Sequence, residues 1–330
     1  MPVINLRFNP GMIENAAETL LVATADCGLQ QYNVKTAEKV WQGPVAADDE
    51  VNTVEYHSAG TTFAAAGKDR VVRLYDERTK QVTCELHAHE NRIRCLKFSP
   101  HSQGTLVSGG FDGVYIWDVR SPNARPSGLG GIVRITGDAL DVCDNTLLTA
   151  ALPVPGRDSA PALGRLLLWD LRTGKPFDEV PWEDPEGELA TSLTCAQFSK
   201  DASCSHIVAA GGPHVQWFER STLKQVRKMR LPQQNNARGE LCQPTVNNVD
   251  EAHAGGRAVL ALSEGGVLVV KAVEHLKLER TGERVGVVEK IVEHVAKVET
   301  EEDLRERLRM EKQAAAKEAR ESAARFRLGL

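Results

Sequence analysis

The sequence predicts an all-β fold, a propeller of repeated four-stranded antiparallel units, followed by an α-helical extension. Three observations predict it. A short β-hairpin recurs along the chain, a further strand-like run precedes each copy, and residues 286–330 shift to helix-forming composition.

The hairpin is clearest in "LVSGGFDGVYIWDVRSP", residues 106–122. Leu106, Val107 and Ser108 make one strand, Asp112-Gly113 is a tight-turn pair, and Val114 to Trp117 make the next. Tyr75-Asp76 and Trp169-Asp170 close the same pattern in "GKDRVVRLYDERTK" and "GRLLLWDLRTGK". Weaker copies end at Tyr32-Asn33, Phe218-Glu219 and Val270-Lys271, so six units are visible. The second residues of these pairs follow one another at steps of 43, 42, 52, 49 and 52. Four-stranded propeller blades repeat at about 40–45 residues, and the longer steps contain obvious loops.

The preceding strand of each unit is "VINLRF" (3–8), "VNTVEY" (51–56), "RIRCLKF" (92–98), "DALDVC" (138–143), "LTCAQF" (193–198) and "TVNNV" (245–249). A more ragged fourth segment follows each hairpin. Four antiparallel strands per unit, with no helical periodicity between units, favour a β-propeller of six or seven blades over a sandwich.

On these residues the chain resembles the WD-repeat family over roughly residues 1–280, and the third unit carries the most specific match. In that family a His before the first strand, a Ser or Thr on the second, an Asp in the tight turn and a Trp on the third form a hydrogen-bonded chain within a blade. His89, Ser108, Asp112 and Trp117 stand at those places. The resemblance implies a structural tetrad, because such a chain satisfies buried polar groups and ties loop to strand. A catalytic Ser-His-Asp reading uses the same residue types, but those atoms are already committed to the blade. The second unit keeps Asp69 in its turn without a preceding His, and the other units lack the complete set.

The last region, 281–330, is expected to form a helical tail. Val288, Ile291, Val292, Val295 and Val298 recur at three and four, which predicts a short amphipathic helix. Thr300 with Asp303 then resembles a capping box, and Glu301, Glu302 and Asp303 suit the positive end of a second helix dipole. That helix has few apolar positions, chiefly Leu304 and Leu308, then Phe326 and Leu328 beside Arg325 and Arg327. A stripe so narrow makes the helix either a solvated extension or an arm ordered by a partner, and these six residues are read as the partner-binding arm.

Composition limits what else the chain does. With 42% hydrophobic and 26% charged residues it reads as folded and soluble. The longest apolar stretch, Ala258 to Val273, is interrupted by Ser263, Glu264, Gly265, Gly266 and Lys271, so no membrane helix is expected. The N-terminus lacks a targeting pattern, which makes the cytoplasm the expected address. Seven scattered Cys without a Cys-x-x-Cys predict reduced thiols, and the dispersed His offer no metal-ligand set. The glycines of "GGFDG" and "SEGGV" are turn residues rather than a phosphate loop opening a helix. No cofactor, metal, nucleic acid, small-molecule substrate or catalytic activity is therefore expected.

Recognition is expected on loops. In propellers of this resemblance the unit-to-unit connections and the turns between second and third strands gather on one face. "GPVAADDE" (43–50), "PWEDPEGELA" (181–190) and "LPQQNNARGELCQP" (231–244) are long connections, and "PVPGRDSAPALG" (153–164), with Arg157 and Asp158, is an insertion inside the fourth unit. Asp48, Asp49, Glu50, Glu183, Asp184, Glu186 and Glu188 make the first two acidic, which would steer basic partners. The same charges also serve solubility in a chain of net charge −5. Arg220, Lys224, Arg227, Lys228 and Arg230 read as a solvated outer strand.

Trp-Asp-x-Arg occurs twice, ending at Arg120 and at Arg172. It resembles the box by which some WD-repeat proteins dock the adaptor of a cullin-4 ubiquitin ligase, although an Arg so placed also pairs with a carboxylate of its own blade. The leading expectation is a non-enzymatic protein-interaction scaffold within a larger assembly, with a ligase substrate receptor as the alternative. The overall appearance also resembles cilia- and flagella-associated WD-repeat proteins, which implies a cytoskeletal or ciliary location.

Overall fold

A computed structural model describes residues 3–10, 19–24, 28–43, 50–102, 104–121, 123, 125–129, 133–151, 164–182, 193–200, 203–231, 234–235, 241–242, 246–251, 257–262, 266–271 and 292–297. Among them the chain makes six four-stranded sheets, each an antiparallel meander in chain order. The first holds β1 (Val3–Phe8), β2 (Thr19–Thr24), β3 (Gly28–Asn33) and β4 (Lys39–Gln42). The second holds β5 (Val51–Tyr56), β6 (Thr62–Gly67), β7 (Val71–Asp76) and β8 (Val82–His87). The third holds β9 (Ile93–Phe98), β10 (Thr105–Gly110), β11 (Gly113–Asp118) and β12 (Ser127–Gly128). The fourth holds β13 (Leu140–Cys143), β14 (Thr146–Ala151), β15 (Arg165–Asp170) and β16 (Lys175–Pro181), and the fifth β17 (Leu193–Phe198), β18 (His206–Gly211), β19 (His214–Glu219) and β20 (Gln225–Arg230). A two-stranded ribbon, β21 (Gln234–Asn235) and β22 (Leu241–Cys242), precedes the sixth sheet, β23 (Val246–Glu251), β24 (Arg257–Leu262), β25 (Gly266–Lys271) and β26 (Val292–Lys297).

Turn chemistry and alternation explain the meanders. In the third sheet the register runs from Thr105 opposite Asp118 to Gly110 opposite Gly113, so Phe111 and Asp112 alone make the turn. Gly113 takes a φ of 138°, a backbone conformation closed to most L side chains. Alternate residues of each first strand then point to opposite sheet faces.

First strands of successive sheets lie side by side in chain order, from β1 to β23. Cores fill the space between sheets. Leu21, Ala23 and Leu29 of the first sheet pack on Val54, Tyr56 and Phe63 of the second. Ala64, Val72 and Leu74 of the second pack on Leu96, Phe98 and Leu106 of the third. The largest cluster joins the third, fourth and fifth sheets, with Trp169 and Trp182 among its fully buried side chains.

Two expectations are corrected. Residues 292–297 were expected within a short amphipathic helix and instead form β26, the fourth strand of the sixth sheet, paired with β25 through Leu268 opposite Val295. Valines three apart suit either structure, and an unpaired β25 edge favours the strand. The sheet array therefore runs past residue 280, while 286–291 and the remaining tail lie outside the described residues. Reduced thiols were expected throughout, yet Cys143 and Cys204 form a disulfide joining the end of β13 to the loop before β18. Their separation of 61 residues hid the pair, because only the packing of sheet four on sheet five brings them together.

Candidate functional site

One face of the array gathers the inter-sheet connections and the turns between second and third strands. Lys68, in the turn of the second sheet, donates its amide to the Glu50 carbonyl at 2.9 Å. Trp182 donates to Gly164 at 2.9 Å in the fourth sheet, and Leu231 to Pro213 at 2.8 Å in the fifth. In the third, the Glu90 amide donates to Asp112 Oδ2 at 2.7 Å. Each bond joins a connection to a turn, so the anchor points of the long loops share this rim. Glu50 is half-buried, with Oε2 3.9 Å from Arg92 Nη1. Asp48, Asp49, Arg157, Asp158, Glu183, Asp184, Glu186 and Glu188 lie outside the described residues, as do Leu304, Leu308, Arg325, Phe326, Arg327 and Leu328 of the tail.

The four residues of the tetrad do come together. His89 Nδ1 lies 3.0 and 3.1 Å from the Asp112 carboxylate oxygens, and His89 Nε2 lies 2.7 Å from Ser108 Oγ. Trp117 Nε1 donates to the same Ser108 oxygen at 2.8 Å. A consistent chain follows: the indole N–H donates to Ser108, its hydroxyl to Nε2, and Nδ1–H to Asp112. Burial lowers the His89 pKa, and the Asp112 carboxylate only partly offsets it, which keeps the neutral ring. Ser108 is fully buried with its proton committed, which suits architecture rather than nucleophilic chemistry. Trp169 Nε1 donates to Thr149 at 3.0 Å in the fourth sheet, a shortened version that the sequence reading missed. The signal was present, since Thr149 holds the strand position of Ser108.

The opposite face carries the ends of the third strands. Val119 donates to Gly104, Leu171 to Asn145 and Arg220 to Ser205, tying these ends to the loops after the first strands. Arg120 is 72% exposed and grips Asp118 with two bonds, from Nε at 2.9 Å and Nη2 at 3.1 Å. Arg172 is 71% exposed and grips Asp170 in the same way, at 3.1 and 3.0 Å. The hydrogen bonds from each Arg hold its Asp below the usual carboxylate range. Beside Arg172 lies an open cavity of 330 Å³, lined in part by Thr146, Lys175 and the exposed Phe177. Of the basic run only Arg227, Lys228 and Arg230 lie in the outer strand β20, with Lys228 and Arg230 exposed and Arg227 stacked 4.9 Å from the Trp217 ring, whereas Lys224 precedes the strand and Arg220, expected there too, donates from Nη2 to Thr146 at 3.1 Å.

Charged side chains of the first strands also meet toward the axis. Arg7 Nε donates to Glu55 at 2.6 Å, and Arg7 Nη2 to Asp138 at 2.8 Å, spanning from the first sheet to the entrance of the fourth. Lys97 Nζ lies 3.8 Å from Glu55, and the Cys95 thiol donates to Asp138 at 2.9 Å. Burial raises the Asp138 pKa, but Lys97 and Arg7 outweigh it and hold the carboxyl well below its usual range. Burial and Asp138 push the Cys95 thiol well up, so it stays protonated. Arg7, Glu55 and Lys97 occupy the same strand position in successive units, a regularity readable in the sequence but not singled out there.

Among the described residues no group of three or more His, Cys, Asp or Glu is arranged to hold a metal ion. No helix there is long and apolar enough to cross a membrane.

Comparison with known proteins agrees with this architecture. Residues 18–101 match the model of the anaphase-promoting complex subunit 4 WD40 domain. The chain is 24% identical over 187 residues to protein transport protein SEC31 of Eremothecium gossypii, covering 56% of this chain and 15% of that protein. It is 29% identical over 107 residues to methylosome protein WDR77 of Xenopus laevis, covering 31% and 32%. A ribosome biogenesis protein WDR12 homolog of Oryza sativa is 29% identical over 109 residues, covering 32% and 24%. The matches thus span less than a third of each relative's length. Among solved structures, that of U3-55K superposes with a TM-score of 0.64 at 15% identity, covering 82% of this chain and 78% of its own. The WD40 repeats of RRP9 give 0.64 at 16%, covering 82% and 77%. These superpositions show the fold alone.

Proposed function

We propose that this chain, a WD-repeat propeller by fold, is a non-enzymatic scaffold that holds protein partners in a larger assembly through its loop-rich rim. The carrying observation is the common face on which the connections and turns are tied, from Lys68 with Glu50 to Leu231 with Pro213. A rigid sheet array that presents variable loops on one rim suits recognition, because the loops change while the packing beneath them does not. The relatives' names, in protein transport, the methylosome and ribosome biogenesis, support protein partners. Acidic residues at 48–50 and 183–188 would favour a basic partner surface. The tip Arg325–Leu328 adds a second contact, and a cytoplasmic, cytoskeletal or ciliary address is part of the same proposal, open to test by localising the tagged chain.

Changing Glu183, Asp184 and Glu186 to Gln, with Glu188, should deplete the co-purifying partners relative to the unaltered chain and slow association in low salt. Full retention of the partners would return these loops to solubility alone.

A second reading rests on Arg120 and Arg172, both exposed on the opposite face. As a ligase substrate receptor the chain would exchange their own Asp partners for an adaptor surface. The double change to Ala should then abolish binding to a cullin-4 adaptor in a chain that still folds, and retained binding would dismiss the motif.

A further inference from the structure

The Cys143–Cys204 bridge joins two sulphurs in unlike settings. Cys143, at the end of β13, is 2% exposed, whereas Cys204 is half-buried in the turn before β18, beside the exposed Ser203. Cys204 also holds a backbone φ of 45°, in the left-handed region that L side chains rarely adopt. The matching turn of the second sheet has glycine there. Glu77 donates its amide to Thr61 and Arg220 to Ser205, so Gly60, with a φ of 69°, stands where Cys204 does. A side chain at such a place needs a compensating contact, and at Cys204 that contact is the bridge. Arg220 attends the other sulphur. Its Nη1 is 3.3 Å from Cys143 Sγ, and among the described residues the other bonds of its guanidinium go to neutral oxygens, the Ser203 carbonyl at 3.5 Å and the Thr146 hydroxyl at 3.1 Å. A cation so placed favours a thiolate on Cys143.

We propose that this bridge is a thiol–disulfide exchange site, opened by a small thiol of the glutathione class at Cys204 with Cys143 as the leaving sulphur. Access selects the sulphur that is attacked, and only Cys204 offers it. The incoming thiolate bonds to Cys204 Sγ, the bond between the two cysteines breaks, and its electron pair departs on Cys143 Sγ as a thiolate facing Arg220. A second small thiolate then attacks the small-thiol sulphur of the mixed disulfide and releases Cys204. In balance, two small thiols are oxidised to one disulfide and both cysteines are reduced, the protons passing to the cysteine sulphurs or, where Arg220 keeps Cys143 ionised, to solvent. A small disulfide runs the same steps backward. Arg220 acts as a positioning residue, because a leaving sulphur of lower pKa departs faster. Its guanidinium also ties Cys143 to Thr146 in the wall of the cavity beside Arg172, so the exchange site borders the face that carries that Arg and does not depend on how the rim is used.

The test uses the full chain, oxidised with glutathione disulfide and then exposed to reduced glutathione at neutral pH. Samples are quenched with acid at intervals, free thiols are trapped with a maleimide, and each cysteine peptide is read by mass spectrometry. The glutathione adduct should appear on Cys204 of the folded chain, with Cys143 as the free thiol. An adduct on Cys143, a bridge that opens only in denaturant, or a pair that glutathione disulfide fails to join would each overturn the proposal. Arg220→Gln should slow the opening about tenfold and shift alkylation of Cys143 in the reduced chain to higher pH, and Arg220→Lys should restore both. An Arg220→Gln chain that is folded by its melting curve, yet opens at the unaltered rate with an unshifted alkylation profile, would overturn the part given to Arg220.

Discussion

At the residue scale, polar side chains in this protein mostly hold its strands and loops together. The His89 ring has both nitrogens engaged, so His89→Ala strands Ser108 and Asp112 and should cost about 2–3 kcal/mol in denaturant unfolding. The sign of the pH dependence follows from the lowered His89 pKa. The unfolded chain takes up the proton first, so stability from the neutral ring is present above about pH 6.5 and is lost as pH falls through that value. The altered chain should lose this dependence, which melting curves between neutral and mildly acid pH would read. Arg7 bridges Glu55 and Asp138, and Arg7→Ala leaves the two carboxylates with Lys97 as the cation beside them. A loss of about 3 kcal/mol is expected, as for a buried pair broken on one side. Asp138, with its pKa depressed, stabilises the fold above the ordinary carboxylate range and ceases to do so as acid protonates it.

At the element scale, the sheets were legible because each rests chiefly on local signals, alternating strands joined in chain order and, in the third and fifth sheets, a two-residue turn. The β1, β5 and β17 runs appear in the sequence at the residues where the structure has them, and β7 and β15 end at the expected Asp76 and Asp170. β26 was misread because valines at 292 and 295 fit two periods, and only pairing with β25 selects one. Close approaches between elements were equally hidden. A Cβ on Gly67 would stand 1.9 Å from the Glu50 carbonyl oxygen, so Gly67→Ala should lower the melting temperature by several degrees and disturb the rim anchor with it. The Cys143–Cys204 bridge closes a long loop between the fourth and fifth sheets. Cys204→Ser should cost up to about 4 kcal/mol on the chain-entropy account. Reductant should lower the melting temperature of the unaltered chain to that of the variant and leave the variant where it is.

At the scale of the whole molecule, stability is unevenly placed. The core shared by sheets three to five is continuous, whereas Leu6 and Phe8 of the first sheet stay partly exposed among the described residues. Native-state hydrogen exchange should therefore be slowest in β10, β14 and β15 and fastest in β1 to β4, with uniform protection across the sheets as the contrary result. The two faces divide by chemistry, the tied loops on one and the self-paired Arg120 and Arg172 on the other.

The sequence by itself determined the repeated hairpin, the order of the sheets and the membership of the His89 tetrad. The hairpin and the order of its copies are reported directly by alternation and turn residues along the chain, and the tetrad by the family resemblance that its residues carry. Tertiary structure alone decided that Cys143 meets Cys204, that Arg7 reaches Asp138, and that Leu6 and Phe8 are partly exposed while their counterparts are buried. Those facts depend on how one sheet lies against another. Alternation fixes which residues share a face of a sheet, and it carries no information about what, if anything, that face will meet.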